Sequence, residues 1–248
     1  KDEYQMNWCG QTHEWGEIFF RNEPHAYDAS KNTYVINTWN FQKENKLVSF
    51  EESDAEAVSV YSNGRLQTTV KRFFDENGNF TETYEFKNIS PDELFFRKGE
   101  VGIYTPFADE YRAAHESLTT KCSAHVWCGE NISWVNALRQ GVSEENLGLV
   151  LTEGSLEAYS IDRDHQTVAT AYRGNIVLHP YLSPLLPEEC AAVSWTLFKH
   201  KGTPDFLSKI SARGGLYALQ TSDLTAVNEE KFTLSVPADD DLKITLNG

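Results

Sequence analysis

The chain has 248 residues, 40% of them hydrophobic, and a formal net charge of −15, enough apolar mass for a sizeable core in one or two domains. With 37 acidic against 22 basic residues and no basic cluster to track phosphates, the composition excludes nucleic acid as a partner and disfavours an anionic membrane surface. Four cysteines, Cys9, Cys122, Cys128 and Cys190, are too few for a disulfide scaffold at this length.

The N-terminal stretch KDEYQMNWCG is polar and acidic and does not read as a signal peptide. No apolar run approaches the roughly 18 residues of a membrane-spanning helix. From residue 56 onward, short β-like runs alternate with turn chemistry. EAVSVY (56–61), SNGR (62–65) and LQTTVKRFF (66–74) form one strand–turn–strand unit around an Asn-Gly pair. DENGN (75–79) is a second such turn, and FTETYEFKN (80–88) is the third strand. LFFRKGEVGIYTPF (94–107) holds two more runs around Gly99, which extends the reading to a meander of consecutive antiparallel strands. ADEYRAAHESL (108–118) reads as a short helix or an irregular loop.

The second half continues in the same way. LGLVLTEG, SLEAYSID, TVATAYR and NIVLHP follow at close spacing, and CAAVSWTLFKH (190–200) alternates at Val193, Trp195 and Leu197. TPDFLSKISA (203–212) is the strongest helix signal. Thr203 can cap it, Pro204 fits the first turn, Phe206, Leu207 and Ile210 share a face, and Gly214-Gly215 stops it. KFTLSVPA and LKITLNG return to strand character. The expected fold is all-β: a large antiparallel β-sandwich over residues 1–212 with a short C-terminal linker helix. Residues 213–248 then supply terminal strands, as a sandwich edge or the start of another β unit.

The stretch KCSAHVWCGENISW (121–134) concentrates chemistry. Cys122, His125 and Cys128 are ligand-type residues, and Cys9 and His13 could complete a zinc set. A strand alternates faces, however, so Cys122 and Cys128 point one way and His125 the other. A Cys122–Cys128 bridge fails too, because an extended strand holds them about 20 Å apart at roughly 3.3 Å per residue. Buried thiols are the simpler reading, and no metal or other cofactor is expected. No G-x-S-x-G elbow or glycine-rich phosphate loop occurs. The three N-x-S/T sequons, at Asn79, Asn88 and Asn131, carry little weight alone.

Carboxylates beside aromatic residues suit sugar recognition, since rings stack on apolar sugar faces and carboxylates accept hydroxyl hydrogen bonds. That combination occurs at His13-Glu14-x-x-Glu17 beside Trp8 and Trp15, and at Asp109-Glu110 beside Tyr104 and Tyr111. Tryptophans in a sandwich are more often core. His125 and Trp127 share the strand face opposite Cys122 and Cys128: a surface face would make them sugar contacts, an inter-sheet face would make them core.

The order of these elements resembles a known family. YEFKNISPDELFFRKGEVGIYTPFADEY, with Asn88, Ser90 and Leu94 leading into Tyr104–Tyr111, then TKCSAHVWCGENISW and LHPYLSPLLPEECAAVSWTLFKHKGTPDFLSKI, is similar to the N-terminal super-β-sandwich of carbohydrate-active enzymes. That domain is galactose-mutarotase-like and precedes an (α/α)6 toroid. The resemblance covers roughly residues 10–212 and points to polysaccharide lyases and glycoside hydrolases acting on uronic-acid- or rhamnose-containing glycans. It implies an oligo- or polysaccharide partner, and a toroid that would carry the main catalytic residues. The tail after residue 212 is far too short to be that toroid. The expected role is therefore a module that is not catalytic alone but supports and rims a glycan site, in a secreted or periplasmic setting rather than a cytoplasmic one.

The residues expected to touch glycan are His125, Trp127 and Asn131, then Tyr104, Asp109 and Tyr111, with His13 and Trp15 behind them. Two other roles stand beside this. A stand-alone aldose-epimerase-like enzyme would need a His pair and a Glu on the concave sheet face, and the resemblance assigns those roles to none of His125, His179 or the glutamates. The third is a structural or interaction domain without a ligand.

Overall fold

The computed structural model describes residues 6–10, 13–21, 24–28, 33–36, 45–130, 132–141, 144–163, 173–214, 220–221, 231 and 233–235. Sixteen strands and two short helices are found among them. The runs TVATAYR, apart from its final Arg173, and LKITLNG lie outside the described residues.

Two antiparallel sheets face each other. The larger contains β4 (Lys46–Glu52), β5 (Glu56–Ser62), β6 (Leu66–Phe74), β7 (Phe80–Asn88), β9 (Cys122–Gly129), β10 (Ile132–Arg139), β11 (Asn146–Glu153) and β14 (Cys190–His200), in the order β4-β5-β6-β7-β14-β11-β10-β9. The smaller is ordered β1-β8-β13-β12, from β1 (Ile18–Phe20), β8 (Val101–Thr105), β12 (Leu156–Asp162) and β13 (Asn175–Pro180). The all-β sandwich expected from the sequence is what forms. Two antiparallel strand pairs, β2 with β3 (Pro24–Asp28, Thr33–Ile36) and β15 with β16 (Gln220–Thr221, Leu234–Ser235), lie outside these sheets.

The Asn-Gly turns fall where the sequence puts them. Gly64 and Gly78 take φ of +83° and +73°, the left-handed region that these hairpin turns require. The meander holds from β4 to β7 and then stops. After β7, Leu94 makes only an isolated bridge to Leu185, and β8 crosses to the smaller sheet between β1 and β13. The place beside β7 goes to β14, registered from Cys190↔Lys87 to Leu197↔Phe80. Local turn chemistry specifies hairpins and says nothing about such a crossing.

Alternation fills the space between the sheets. Leu66, Val70, Tyr84, Phe86, Leu149, Leu151, Val193 and Trp195 of the larger sheet meet Phe20, Val101, Ile103, Ile176 and Leu178 of the smaller. Each such aliphatic or aromatic side chain gains about 1.5–3 kcal/mol from burial. α1 (Ala114–Thr120) confirms a short helix within 108–118 and beyond it. α2 (Thr203–Gly214) forms where the sequence places a helix over 203–212. It lies on the outer face of the larger sheet, where Phe206 and Ile210 pack on Val150 and Phe198. Gly148 makes room for this contact: a Cβ there would come within 2.6 Å of Phe198 and 2.9 Å of Phe206. No helix among the described residues is long and apolar enough to cross a membrane.

Candidate functional site

The stretch 121–134 folds as β9, a turn at Glu130, and the start of β10. Cys122 and Ala124 are buried in the inter-sheet core, and Val126 and Cys128 pack against it. Ser123, His125 and Trp127 point to the other side, and that side is outward. β9 is the edge strand of the larger sheet, and Trp127 leaves 54% of its surface exposed. In register, Trp127 lies beside Trp134 and His125 beside Asn136. Trp134 packs edge-on against Phe206 of α2 at 5.3 Å, so the outer face carries aromatic side chains from the helix to the sheet edge. Gly129 leaves the indole its place, since a Cβ would meet Trp127 Nε1 at 2.9 Å.

The segment carrying Asp109 and Tyr111 runs along the same edge, with Asp109 bridged in parallel to Cys122. Asp109 is buried. Its Oδ2 accepts the Ala124 N–H at 3.1 Å and faces Arg173 Nε at 3.4 Å. Its Oδ1 is buried with no partner among the described residues. Burial raises the carboxyl pKa, against the pull of the Ala124 N–H, Arg173 and His125. The Tyr111 hydroxyl accepts from Arg173 at 3.3 Å and lies 3.5 Å from Ser123 Oγ; these two contacts lower its pKa. Next door, Lys121 holds the Glu110 carboxylate at 2.8 Å, with Arg112 on its other oxygen. The edge therefore brings together Tyr111, Ser123, His125, Trp127 and Arg173 over a buried Asp109. The sequence pointed to four of these six; Ser123 was an unmarked strand residue, and Arg173 stood at the end of a run read only as a strand.

Tyr104 is elsewhere. It lies on the face of the smaller sheet opposite Ile103 and is buried there, with His13 stacked on its ring, centroids 3.8 Å apart and planes within 8°. His13 Nδ1 is 2.9 Å from Glu17. The Tyr104 hydroxyl donates to Asp162 at 2.5 Å. Burial, then this bond and the Asp162 charge, push its pKa well up, so at neutral pH it is a donor and not a base. His179 lies on the same face with both ring nitrogens engaged. The Val101 carbonyl at 2.7 Å can only accept, so Nδ1 carries the proton and Nε2 takes the Ser160 hydroxyl at 2.8 Å. Burial lowers its pKa.

Trp15, two residues from His13, turns into the sandwich. Its indole donates to Glu82 Oε2 at 2.6 Å, and Trp195 donates to the same oxygen at 2.9 Å. Arg72 and Tyr84 bond Oε1 at 2.8 and 3.1 Å. Glu82 is fully buried and satisfied by four donors, a hub that sequence reading missed although the signal is there: in FTETYEFKN, Glu82 shares the strand face of Phe80, Tyr84 and Phe86. Asn131 lies outside the described residues. The structure thus sorts the sequence candidates into an edge group (Asp109, Tyr111, His125, Trp127), an outer-face pair (His13, Tyr104) and one core-facing residue (Trp15). Among the described residues, no group of three or more His, Cys, Asp or Glu could hold a metal ion.

The fold has a counterpart among solved structures. One polysaccharide lyase matches over 89% of this chain and 32% of its own, with a TM-score of 0.71 and 25% identity. The sandwich is of the polysaccharide lyase type. A heparan sulfate lyase from Pedobacter heparinus matches over 77% of this chain and 26% of its own, at TM-score 0.38 and 12% identity. A heparinase III gene product does so over the same shares at 0.35 and 11%. The lyase-type sandwich spans about a third of the first of these proteins. No protein-family model matches the chain, and no curated protein matches it.

Proposed function

We propose that this lyase-type sandwich is a carbohydrate-associated module, non-catalytic or catalysis-assisting, that supports and rims a glycan site in a polysaccharide lyase or glycoside hydrolase. The observation that carries this is the superposition of 89% of the chain on a third of a polysaccharide lyase. The contact surface is the β9 edge. Trp127, exposed and shaped by Gly129, stacks on the apolar face of a pyranose. Ser123, His125 and the Tyr111 hydroxyl meet sugar hydroxyls, and Arg173 supplies a charge-assisted bond to a carboxylate or sulfate. An (α/α)6 domain is the proposed catalytic partner, and a secreted or periplasmic compartment, where polysaccharides are met, is the proposed setting.

A stand-alone epimerase fits less well, because His125 and His179 face outward from different sheets and do not converge on one sugar. Isothermal titration of the intact chain with acidic and neutral oligosaccharides tests the module reading. Trp127→Ala is expected to weaken binding by about tenfold, the loss of one aromatic contact, with Tm unchanged. Binding that is indifferent to Trp127→Ala overturns the β9 surface, and no binding to any glycan favours a structural domain.

A further inference from the structure

β4 ends the larger sheet opposite β9, and every residue of β4 is exposed. Beneath it, residues 14–18 and the strands β4, β5 and β6 enclose a cleft of about 320 Å³, at the small end of the range for small-molecule sites. This cleft is separate from the β9 edge, which closes the opposite end of the same sheet.

Its lining combines the three elements that sugar recognition uses. Tyr61 and Trp15 present aromatic surface, with Leu47 and Val70 extending it. Arg72 lies at the base, its side chain 27% exposed. Its bonds to Glu82 and Tyr84 use two of the five guanidinium N–H groups. Asn45 supplies an acceptor: its Oδ1 is buried with no partner among the described residues, a state that calls for a donor. Gly16, at φ +78°, keeps the base open, because a Cβ there would come within 2.5 Å of the Tyr84 hydroxyl and press on Arg72.

The charge balance selects the ligand. Arg72 is already neutralised by the buried Glu82, while Glu14 and Glu17 also line the cleft. Glu17 is held by His13 at 2.9 Å, and the chain as a whole carries −15. An anionic sugar meets repulsion here; hydroxyl groups, which both donate and accept, match Asn45, the two carboxylates and the remaining N–H groups. We infer that this cleft is a second sugar site that takes an uncharged pyranose, in contrast to the Arg173-bearing edge. The choice of a sugar rests on the glycan-module reading; the cleft geometry does not.

The test uses the intact chain carrying Trp127→Ala, which silences the β9 edge, with methyl β-D-glucopyranoside and glucuronate as probes in saturation-transfer NMR titrations. The expected result is tighter binding of the methyl glycoside, with the gap narrowing in roughly 0.5 M salt. Asn45→Leu and Tyr61→Ala, added singly, should each weaken it about fivefold to tenfold. Asn45→Leu keeps the test decisive should Tyr61→Ala unfold. Equal or tighter glucuronate binding, no transfer to either probe, or full binding by Asn45→Leu overturns the inference. If neither probe binds while the unmodified chain still binds a polysaccharide through Trp127, the cleft fails and the edge reading stands.

Discussion

Glu82→Gln probes the buried hub. The replacement keeps shape and volume but turns one of two acceptor oxygens into an NH2 donor. Oε2 serves the indoles of Trp15 and Trp195, and Oε1 serves Arg72 and Tyr84. With the amide oxygen toward the indoles, the NH2 faces the Arg72 guanidinium. A charge-assisted bond worth about 1.5–3 kcal/mol is lost, and a cation is left without its counter-charge in a site where breaking a pair costs about 3–5 kcal/mol. The opposite orientation leaves Arg72 without its counter-charge just the same and also strands two indole N–H groups, at about 1–3 kcal/mol each. Arg72 is 27% exposed, so water recovers part of the first cost, and that orientation wins. The expected destabilisation is about 3 kcal/mol, or about 6–12 °C in Tm for a chain of this size. Urea unfolding followed by tryptophan fluorescence measures it directly, since two of the reporters bond the mutated group. Removing both charges with Glu82→Leu and Arg72→Met should cost less than the sum of the single losses. A Glu82→Gln loss below about 1 kcal/mol, or strict additivity in the double variant, would refute the hub.

Gly148→Ala places a methyl group against Phe198 and Phe206; overpacking of this kind costs about 1–3 kcal/mol, and hydrogen exchange should report it first in α2. Stability should fall as pH drops from 7 towards 5. Burial lowers the folded pKa of His179 and His200 below the usual 6.5, so their contribution is complete above 6.5 and is lost on acidification as the unfolded chain takes up protons. The limiting slope is about 1.4 kcal/mol per pH unit for each histidine, and His179→Gln should remove one share of it. Asp109, whose pKa burial raises, runs the other way at lower pH; a flat profile between pH 7 and 5 would contradict the burial of both histidines.

Local signals carried far in this chain because hairpins are local objects. Asn63-Gly64 and the 75–79 turn specified β5 to β7 without help from tertiary structure, and Thr203-Pro204 marked the start of α2 correctly. The crossing of β8 to the smaller sheet and the insertion of β14 beside β7 depend on which long connection closes, and no turn residue records that. Asn88 shows the same limit at one residue. As a sequon it looks like a surface position, yet its Nδ2 is spent on the carbonyls of Asp92 and Leu185 inside the fold, leaving no amide for a sugar.

The β9 edge shows what separates a pattern from a site. Alternation alone established that His125 and Trp127 share one face and Cys122 and Cys128 the other. Which face meets water is decided by the position of β9 at the end of an eight-stranded sheet and by the seat of α2 on β10, β11 and β14. Had β9 been central, α2 or its equivalent would have covered Trp127 as Phe206 covers Trp134, and the same four letters would spell core. The partners confirm that the site is a product of topology: Tyr111 and Ser123 are 12 residues apart and Arg173 is 62 residues from Tyr111, so only the folded edge brings a cation to the aromatic face. The composition of this edge is set by the crossing connections rather than by the strand that carries the tryptophan.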